Sequence, residues 1–158
     1  RYLAYPFGEF NTEIKNMLAV NDFIGLAQNS GAVGVNSDFL ALPRFPLASI
    51  YANLETAKIK LDSKAFNVDL IQPLSPVTQD RNPPVTLKFN EGNYNLSQIG
   101  CFANSRPLPM TWIDKSQGLL KIEPNESYTG RRWRYLCTAP VTGEKRFYWY
   151  SVQWIKPD

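Results

Sequence analysis

The first 71 residues alternate between apolar runs typical of strands and apolar spacing typical of helices. Residues 23–27 form a short apolar run that predicts a buried strand, and residues 53–61 predict a helix. A further strand over residues 40–47 is restricted by two prolines, because proline donates no backbone hydrogen bond. Another helix is predicted over residues 9–20, whose apolar side chains share one helix face: Phe10, Ile14, Met17 and Leu18.

This alternation of strands and helices predicts a parallel α/β layer. Two or three strands and two helices would leave such a sheet with open edges and a thin core, whereas parallel sheets usually have both faces covered. We therefore expect residues 1–71 to be the end of a larger α/β domain, the alternative being a small α/β domain complete in itself. Residue 1 is Arg and no basic-then-apolar leader follows, so we expect a processed chain or a fragment.

A proline-rich segment over residues 72–84 precedes a different pattern. Its four prolines exclude a helix or a central strand, and they predict a stiff linker at a domain boundary. From residue 85 onward, short runs of alternating apolar residues recur between turn signals, which is typical of a small all-β sandwich. The predicted strands cover residues 85–89, 98–102, 110–114, 119–122, 132–139 and 146–154.

The order Cys101, Trp112, Tyr135 and Cys137 resembles the immunoglobulin pattern, in which an inter-sheet disulfide packs against a Trp. The interval between the two cysteines is short for a full immunoglobulin domain, so we expect a trimmed, immunoglobulin-like sandwich in residues 85–158. A bridge between the cysteines would contribute roughly 3.5–4 kcal/mol in the chain-entropy model, and it would indicate an oxidising compartment. Two buried free thiols in a cytosolic protein are the alternative.

The last predicted strand is unusually aromatic. The two-residue period of a strand sends Phe147 and Trp149 to one face, and Tyr148, Tyr150 and Trp154 to the other. One face must belong to the core. The other face either forms an exposed platform for sugar rings, with Trp149 as a substrate-binding residue, or packs against the neighbouring domain. We favour packing, because large aromatic side chains are usually mostly buried.

Composition narrows the chemistry of this chain. It has 158 residues, of which 44% are apolar and 20% charged, and a net charge of +3, as is ordinary for a globular protein. It contains no His, which excludes a Ser-His-Asp triad, a Cys-His pair and a His-ligated metal site within the chain. Residues 131–134 mix Arg with Trp, but the small net charge predicts no nucleic-acid partner. No stretch approaches the roughly 20 apolar residues of a membrane span.

The opening of the chain carries the main chemical signal. It consists of Tyr-Pro-Phe-Gly at residues 5–8, the predicted helix, a Phe-Ile-Gly strand and Ala-Leu-Pro-Arg-Phe-Pro at residues 41–46. Together they resemble the C-terminal part of a polysaccharide deacetylase with the NodB-homology fold, carbohydrate esterase family 4. The resemblance implies a fold class of an α/β fragment, the end of a NodB-type (β/α) barrel, followed by the all-β sandwich.

The resemblance also implies roles for single residues. The third motif of the family, Arg-x-Pro-Tyr-Gly, forms one wall of the active site, and residues 6–8 match it. Phe7 would supply the backbone N–H that binds the oxyanion, and Tyr5 would contribute to catalysis and to substrate binding. Ala4 stands where the family has Arg, so Arg44 from the next strand is the candidate to take over its role.

The family places its metal-binding residues upstream of this motif. These are an Asp pair and two His that hold a divalent, zinc-like metal, and a later His acts as general acid. We therefore expect this chain alone neither to bind metal nor to deacetylate.

The resemblance implies a C-terminal fragment of a secreted polysaccharide N-deacetylase, periplasmic or extracellular. Its expected partners are an amino-sugar polysaccharide and the missing N-terminal half of the catalytic domain. A carbohydrate-binding module and a purely structural sandwich are the alternatives.

Overall fold

The computed structural model describes residues 1–157, which form three β-sheets and two α-helices. The smallest sheet consists of β1 (Tyr2–Ala4) and β2 (Ile24–Leu26), which run in parallel. The helix α1 (Thr12–Val20) lies on the connection between them, and it begins where the Asn11 side chain accepts a hydrogen bond from a backbone N–H. The buried residues of this small unit form their own cluster: Tyr5, Phe10, Leu18 and Ala27.

The second helix, α2 (Leu54–Leu61), is poorly covered. It follows a 3₁₀ turn at Ser49–Tyr51 and begins at the cap residue Asn53, whose side chain accepts a hydrogen bond from the chain. Leu54 and Leu61 are 89% and 80% exposed, and Lys60 is the residue that α2 buries. We call residues 1–63 the N-terminal layer and residues 64–157 the sandwich.

Two antiparallel-rich sheets make up the sandwich. The five-stranded sheet has the order β3-β11-β10-β6-β7, and the four-stranded sheet has the order β4-β5-β9-β8. The strands are β3 (Lys64–Ala65), β4 (Val68–Gln72), β5 (Val85–Phe89), β6 (Gly100–Ala103), β7 (Arg106–Pro107), β8 (Met110–Asp114), β9 (Leu119–Ile122), β10 (Arg132–Pro140) and β11 (Phe147–Ile155). A 3₁₀ turn at Leu96–Gln98 precedes β6.

Side chains from both sheets form one core between them. Alternate residues of β10 and β11 point inward, so Tyr135 and Trp154 are fully buried and their ring centroids lie 5.5 Å apart. The Tyr135 hydroxyl donates a hydrogen bond of 3.0 Å to the carbonyl of Pro83, on a segment distant in sequence. Trp112, which the immunoglobulin pattern marks as the core Trp, lies only partly buried on the edge strand β8.

The prediction that the chain begins with an α/β barrel fragment is wrong. Within residues 1–157 the fold is mostly β-structure, and the parallel sheet stops at two strands with no barrel. The expected strand at residues 40–47 is reduced to a single bridge between Leu42 and Leu26. Pro43 and Pro46 explain this outcome, because neither can donate a backbone hydrogen bond to extend the ladder. The chain then leaves the layer after α2 and enters the sandwich.

The cysteines form a disulfide, and its position differs from the immunoglobulin pattern. Cys101 of β6 and Cys137 of β10 are direct partners in neighbouring strands of the five-stranded sheet. The bridge therefore links two strands of one sheet, whereas the pattern predicted a bridge between the two sheets. The β-sandwich geometry explains the contact, because residues directly opposite each other in a ladder bring their Cβ atoms close together.

Residues on both sides of the predicted 72–84 linker take part in the sandwich. β3 pairs in parallel with β11, and β4 pairs antiparallel with β5, although both precede the prolines. Pro76 and Thr78 within the segment also exchange backbone hydrogen bonds with Ile155. Strand pairing across the prolines therefore ties residues 64–72 to the sandwich.

Candidate functional site

The Tyr5–Gly8 bend is a 3₁₀ turn at Pro6–Gly8 that connects β1 to the segment before α1. Phe7 adopts a φ of 56°, a left-handed conformation that costs a residue with a Cβ about 1 kcal/mol. Its side chain is 72% exposed, and its backbone N–H donates no hydrogen bond within residues 1–157. Gly8 also has a positive φ, of 71°, and a Cβ there would lie 2.5 Å from the Gln28 side chain. Glycine is therefore required at this position.

Side chains of the sandwich hold this bend on three successive residues. Arg132 donates a hydrogen bond of 2.5 Å to the carbonyl of Phe7, and Gln153 donates one of 2.6 Å to the carbonyl of Gly8. Arg131 binds both carboxylate oxygens of Glu9, at 3.0 and 2.8 Å. This contact lowers the pKa of the Glu9 carboxyl below its ordinary value. We call these three contacts the clamp.

A groove of about 1210 Å³ opens between the clamped bend and the outer face of the five-stranded sheet. The N-terminal layer contributes Phe7, the segment at residues 28–30 and Tyr51 to its walls. The sandwich contributes Phe102 from β6 and Trp149 from β11. The groove therefore combines an exposed backbone bend with several aromatic rings, in an arrangement open to solvent.

Four cationic side chains also line the groove: Lys60, Arg106, Arg132 and Arg134. The ammonium of Lys60 lies 4.5 Å from the ring centroid of Tyr51 and donates a 2.7 Å hydrogen bond to the carbonyl of Pro46. Burial lowers the pKa of Lys60, and the nearby Arg134 guanidinium lowers it further. These groups give the groove a positive potential.

A smaller cavity of about 480 Å³ lies on another side of Trp149, between the layer and the sandwich. It contains Tyr150, whose pKa is raised by burial and further by the carboxylates of Asp38 and Asp69. The Asn29 side chain lines both spaces, and its buried Oδ1 accepts no hydrogen bond within the described residues. The two spaces thus meet at Asn29 and Trp149.

The predicted site residues lie in different surroundings. Phe7 and Trp149 both line the groove. Tyr5 is only 3% exposed: its ring stacks on Phe10, and its hydroxyl donates a 2.6 Å hydrogen bond to the carbonyl of Leu40. Arg44 is exposed and lines neither space. The structure therefore brings together two of the four predicted side chains.

Trp149 packs as a contact between the layer and the sandwich. Its ring meets Phe45 edge to face, with centroids 5.4 Å apart, and its indole N–H donates a 3.2 Å hydrogen bond to Ser30. The outward face of β11 is thus partly covered by the neighbouring region, as we favoured over a fully exposed platform. The covered ring still forms part of the groove wall.

Sequence reasoning missed the residues of the clamp. The Arg and Trp residues at 131–134 are only a weak indication of nucleic-acid binding, and nothing in the sequence indicates a role for Gln153. In β10 the exposed Arg132 and Arg134 alternate with buried aromatic residues, which marks one exposed and one buried strand face. This alternation does not indicate that Glu9, more than 100 positions away, is the partner of Arg131 directly before the strand.

The residues of this chain do not fit the divalent metal that the resemblance implies. The sequence has no His, and residues 1–157 contain no group of three or more Cys, Asp or Glu placed to hold a metal ion. No chemical step is therefore derived through a metal held by this chain. The Cys101–Cys137 disulfide is typical of an oxidising compartment. Neither helix in residues 1–157 has the length and apolarity needed to cross a membrane.

No protein-family model fits the sequence, and no curated protein is significantly similar to it. What the groove can do chemically follows from its own residues.

Proposed function

We propose that the groove binds an amino-sugar polysaccharide and forms one wall of a cleft for N-deacetylation in a secreted enzyme, periplasmic or extracellular. The observation that carries this proposal is the clamped bend, where the Phe7 backbone N–H is free at the edge of an aromatic groove. The disulfide supports an oxidising compartment.

The proposed role of Phe7 is to donate a hydrogen bond to the oxygen of the N-acetyl carbonyl. Attack on that carbonyl moves negative charge onto its oxygen, and a fixed N–H donor stabilises the charge most when it need not reorganise. Arg132 and Gln153 hold the carbonyls of Phe7 and Gly8, in the two peptide groups that follow this N–H, which supports a fixed orientation of the donor. The chain is expected to need further residues for hydrolysis and to release no acetate by itself.

Sugar binding is assigned to the aromatic part of the groove. Trp149 is held by Phe45 and Ser30, so little side-chain entropy is lost when a sugar ring packs beside it. A binding module without chemistry would use the same surface. The two functions differ in whether the Phe7 N–H recognises a tetrahedral, negatively charged group.

One experiment separates these two functions. Phe7 is replaced by phenyllactic acid, which turns its amide into an ester and removes the N–H. The ligands are an N-acetylglucosamine tetramer and the same tetramer with one acetyl group replaced by a methylphosphonyl analogue of the tetrahedral intermediate. We expect the ester to lower the affinity for the analogue by about tenfold and the affinity for the acetylated tetramer by less than twofold.

The matched control is the ester at Gly8, whose N–H donates a 2.8 Å hydrogen bond to the carbonyl of Tyr5. This control should lower stability, because an internal hydrogen bond is lost, whereas the Phe7 ester should not. Equal loss for both ligands would leave a binding module and remove the deacetylation role. If neither ligand bound the unaltered chain, both functions would be rejected.

A further inference from the structure

The charges along the groove are not balanced. Four cations line it, and Glu126 is the carboxylate that lines it. Arg106 binds both oxygens of Glu126, at 2.9 and 2.7 Å, so this pair is neutral. Arg132 lies near the Glu9 carboxylate, which is outside the lining of the groove, with 3.6 Å between the Arg132 Nε and a carboxylate oxygen. Lys60 and Arg134 form no ion pair within residues 1–157, so the groove retains a positive excess.

The four cations also differ in how they are held. Lys60 is fixed by the carbonyl of Pro46 and the ring of Tyr51, while Arg132 is fixed by Phe7 and Glu9. The guanidinium of Arg134 makes no hydrogen bond or ion pair within residues 1–157, although it is exposed in the same groove. It is therefore the cation best able to meet a ligand, and a guanidinium can bind a carboxylate or sulfate through two parallel hydrogen bonds.

Such a groove attracts negative charge and repels positive charge. Clefts lined by charges of one sign concentrate the potential, which raises the local concentration of oppositely charged ligands. The aromatic rings that share the groove with Arg134 favour a ligand with apolar ring faces, such as a sugar.

We propose that the groove selects acidic polysaccharides, in which N-acetylated amino sugars alternate with sugars that carry a carboxylate or sulfate, and that Arg134 binds the acidic group. This inference rests on the proposed function, because it names the polymer that the same groove binds. It also means that deacetylation, which creates a protonated amine beside each acidic group, weakens the attraction between the polymer and the groove.

The experiment compares tetrasaccharides by calorimetry at low and at physiological salt. They are the neutral N-acetylglucosamine tetramer, an uronate tetramer in which N-acetylglucosamine alternates with glucuronic acid, its sulfated counterpart and the cationic glucosamine tetramer. We expect the uronate tetramer to bind about tenfold more tightly than the neutral one, and its affinity should fall as the salt concentration rises. The sulfated arm distinguishes a carboxylate from a sulfate as the preferred group, and the cationic tetramer should bind weakest.

Arg134→Gln should lower the affinity for the preferred acidic tetramer by about tenfold, because the substitution removes the charge-assisted hydrogen bonds. The affinity for the neutral tetramer should fall by less than twofold. Lys145→Gln is the matched control, since Lys145 is an exposed cation outside the groove. It should change neither affinity.

Three outcomes would overturn the inference: equal affinity for neutral and acidic tetramers, equal loss of both in Arg134→Gln, or a single-stranded tetranucleotide that binds as tightly as the acidic sugars. The first of these, with tight binding of the neutral tetramer, would leave the proposed function intact. Tight binding of acidic sugars that lack any N-acetyl group would support the charge selection and reject the amino-sugar substrate.

Discussion

The N-terminal layer and the sandwich differ sharply in how they bury apolar residues. The buried cluster of the layer has four residues, whereas that of the sandwich has twenty and a disulfide. The layer leaves large apolar side chains such as Val35 and Leu54 about nine-tenths exposed. Since apolar burial is the main favourable contribution to folding, the sandwich can support itself and the layer depends on contacts with it.

The side chains that contact the layer come from β10, β11 and the residues directly before these two strands. Besides the clamp, the Ser151 hydroxyl donates to the carbonyl of Ser30, and Arg146 donates to the carbonyl of Asp62 at 2.6 Å. The groove lies along this same boundary. The candidate site therefore lies where the less stable N-terminal layer contacts the more stable sandwich.

The largest expected effect concerns the sandwich. Replacing Cys101 and Cys137 together by Ser should lower the free energy of unfolding by about 4 kcal/mol in the chain-entropy model, given a sequence separation of 36 residues. All four Trp lie in the sandwich, so denaturant unfolding followed by Trp emission measures this loss. A loss below 1 kcal/mol would show that the disulfide is not what sets the sandwich apart.

The next prediction tests whether the layer unfolds by itself. Leu18→Ala removes a buried side chain of α1 and should cost about 3 kcal/mol. Hydrogen exchange in β2 should accelerate while the β10 and β11 amides stay protected, because the sandwich keeps its own core. Met17→Ala is the matched control, since Met17 is 64% exposed on the same helix, and it should change little. Equal acceleration in both regions after Leu18→Ala would contradict the difference in autonomy.

The clamp predicts a smaller, pH-dependent effect. The pKa of Glu9 is lowered in the folded state, mainly by its hydrogen bonds with Arg131, so its contribution is present above the ordinary pKa of 4.5. It is lost as the pH falls below that value through the folded pKa. Protection of the bend amides, measured as hydrogen exchange relative to the intrinsic rate at each pH, should therefore fall on acidification, and Glu9→Gln should abolish this pH dependence while costing about 1 kcal/mol.

A pH response of the bend that is unchanged in Glu9→Gln would remove Glu9 from the clamp. Glu13→Gln provides the control, because Glu13 is exposed in the first turn of α1 and its carboxylate forms no ion pair within residues 1–157.

The smallest effect concerns Arg44. This side chain is exposed and lines neither the groove nor the smaller cavity, so Arg44→Gln should change stability by less than about 0.5 kcal/mol. Calorimetry with the N-acetylglucosamine tetramer should also give an unchanged affinity. A tenfold weaker affinity would restore Arg44 to the site and contradict its position outside the groove.

Local features of the fold could be predicted from the sequence. The strand Val85–Phe89 has the predicted bounds, because alternation of apolar residues is set by neighbours two positions apart. The helix α1 also falls within its predicted range. The features that could not be predicted depend on partners distant in sequence. The parallel sheet ends at a single bridge to Leu42, and β3 pairs with β11 more than 80 positions away. Spacing alone contains no information about such pairs.

The candidate site shows the same division. The turn at residues 6–8 follows from Pro6 and Gly8, which the sequence displays directly. The left-handed conformation of Phe7 does not, because a Cβ disfavours it. The burial of Tyr5 does not, because it is produced by packing against Phe10 and Leu40. The groove itself exists only because the layer lies against β10 and β11, so its cations could not be assigned before the two regions were seen together.

The most direct measurement is an NMR titration of the labelled chain with an N-acetylglucosamine tetramer. If the groove binds this sugar, the backbone amide of Phe7 and the indole N–H of Trp149 shift together and saturate with one affinity, while the indole of Trp112 on the other sheet does not move. Shifts that leave Phe7 and Trp149 unchanged, or that never saturate, would contradict the account.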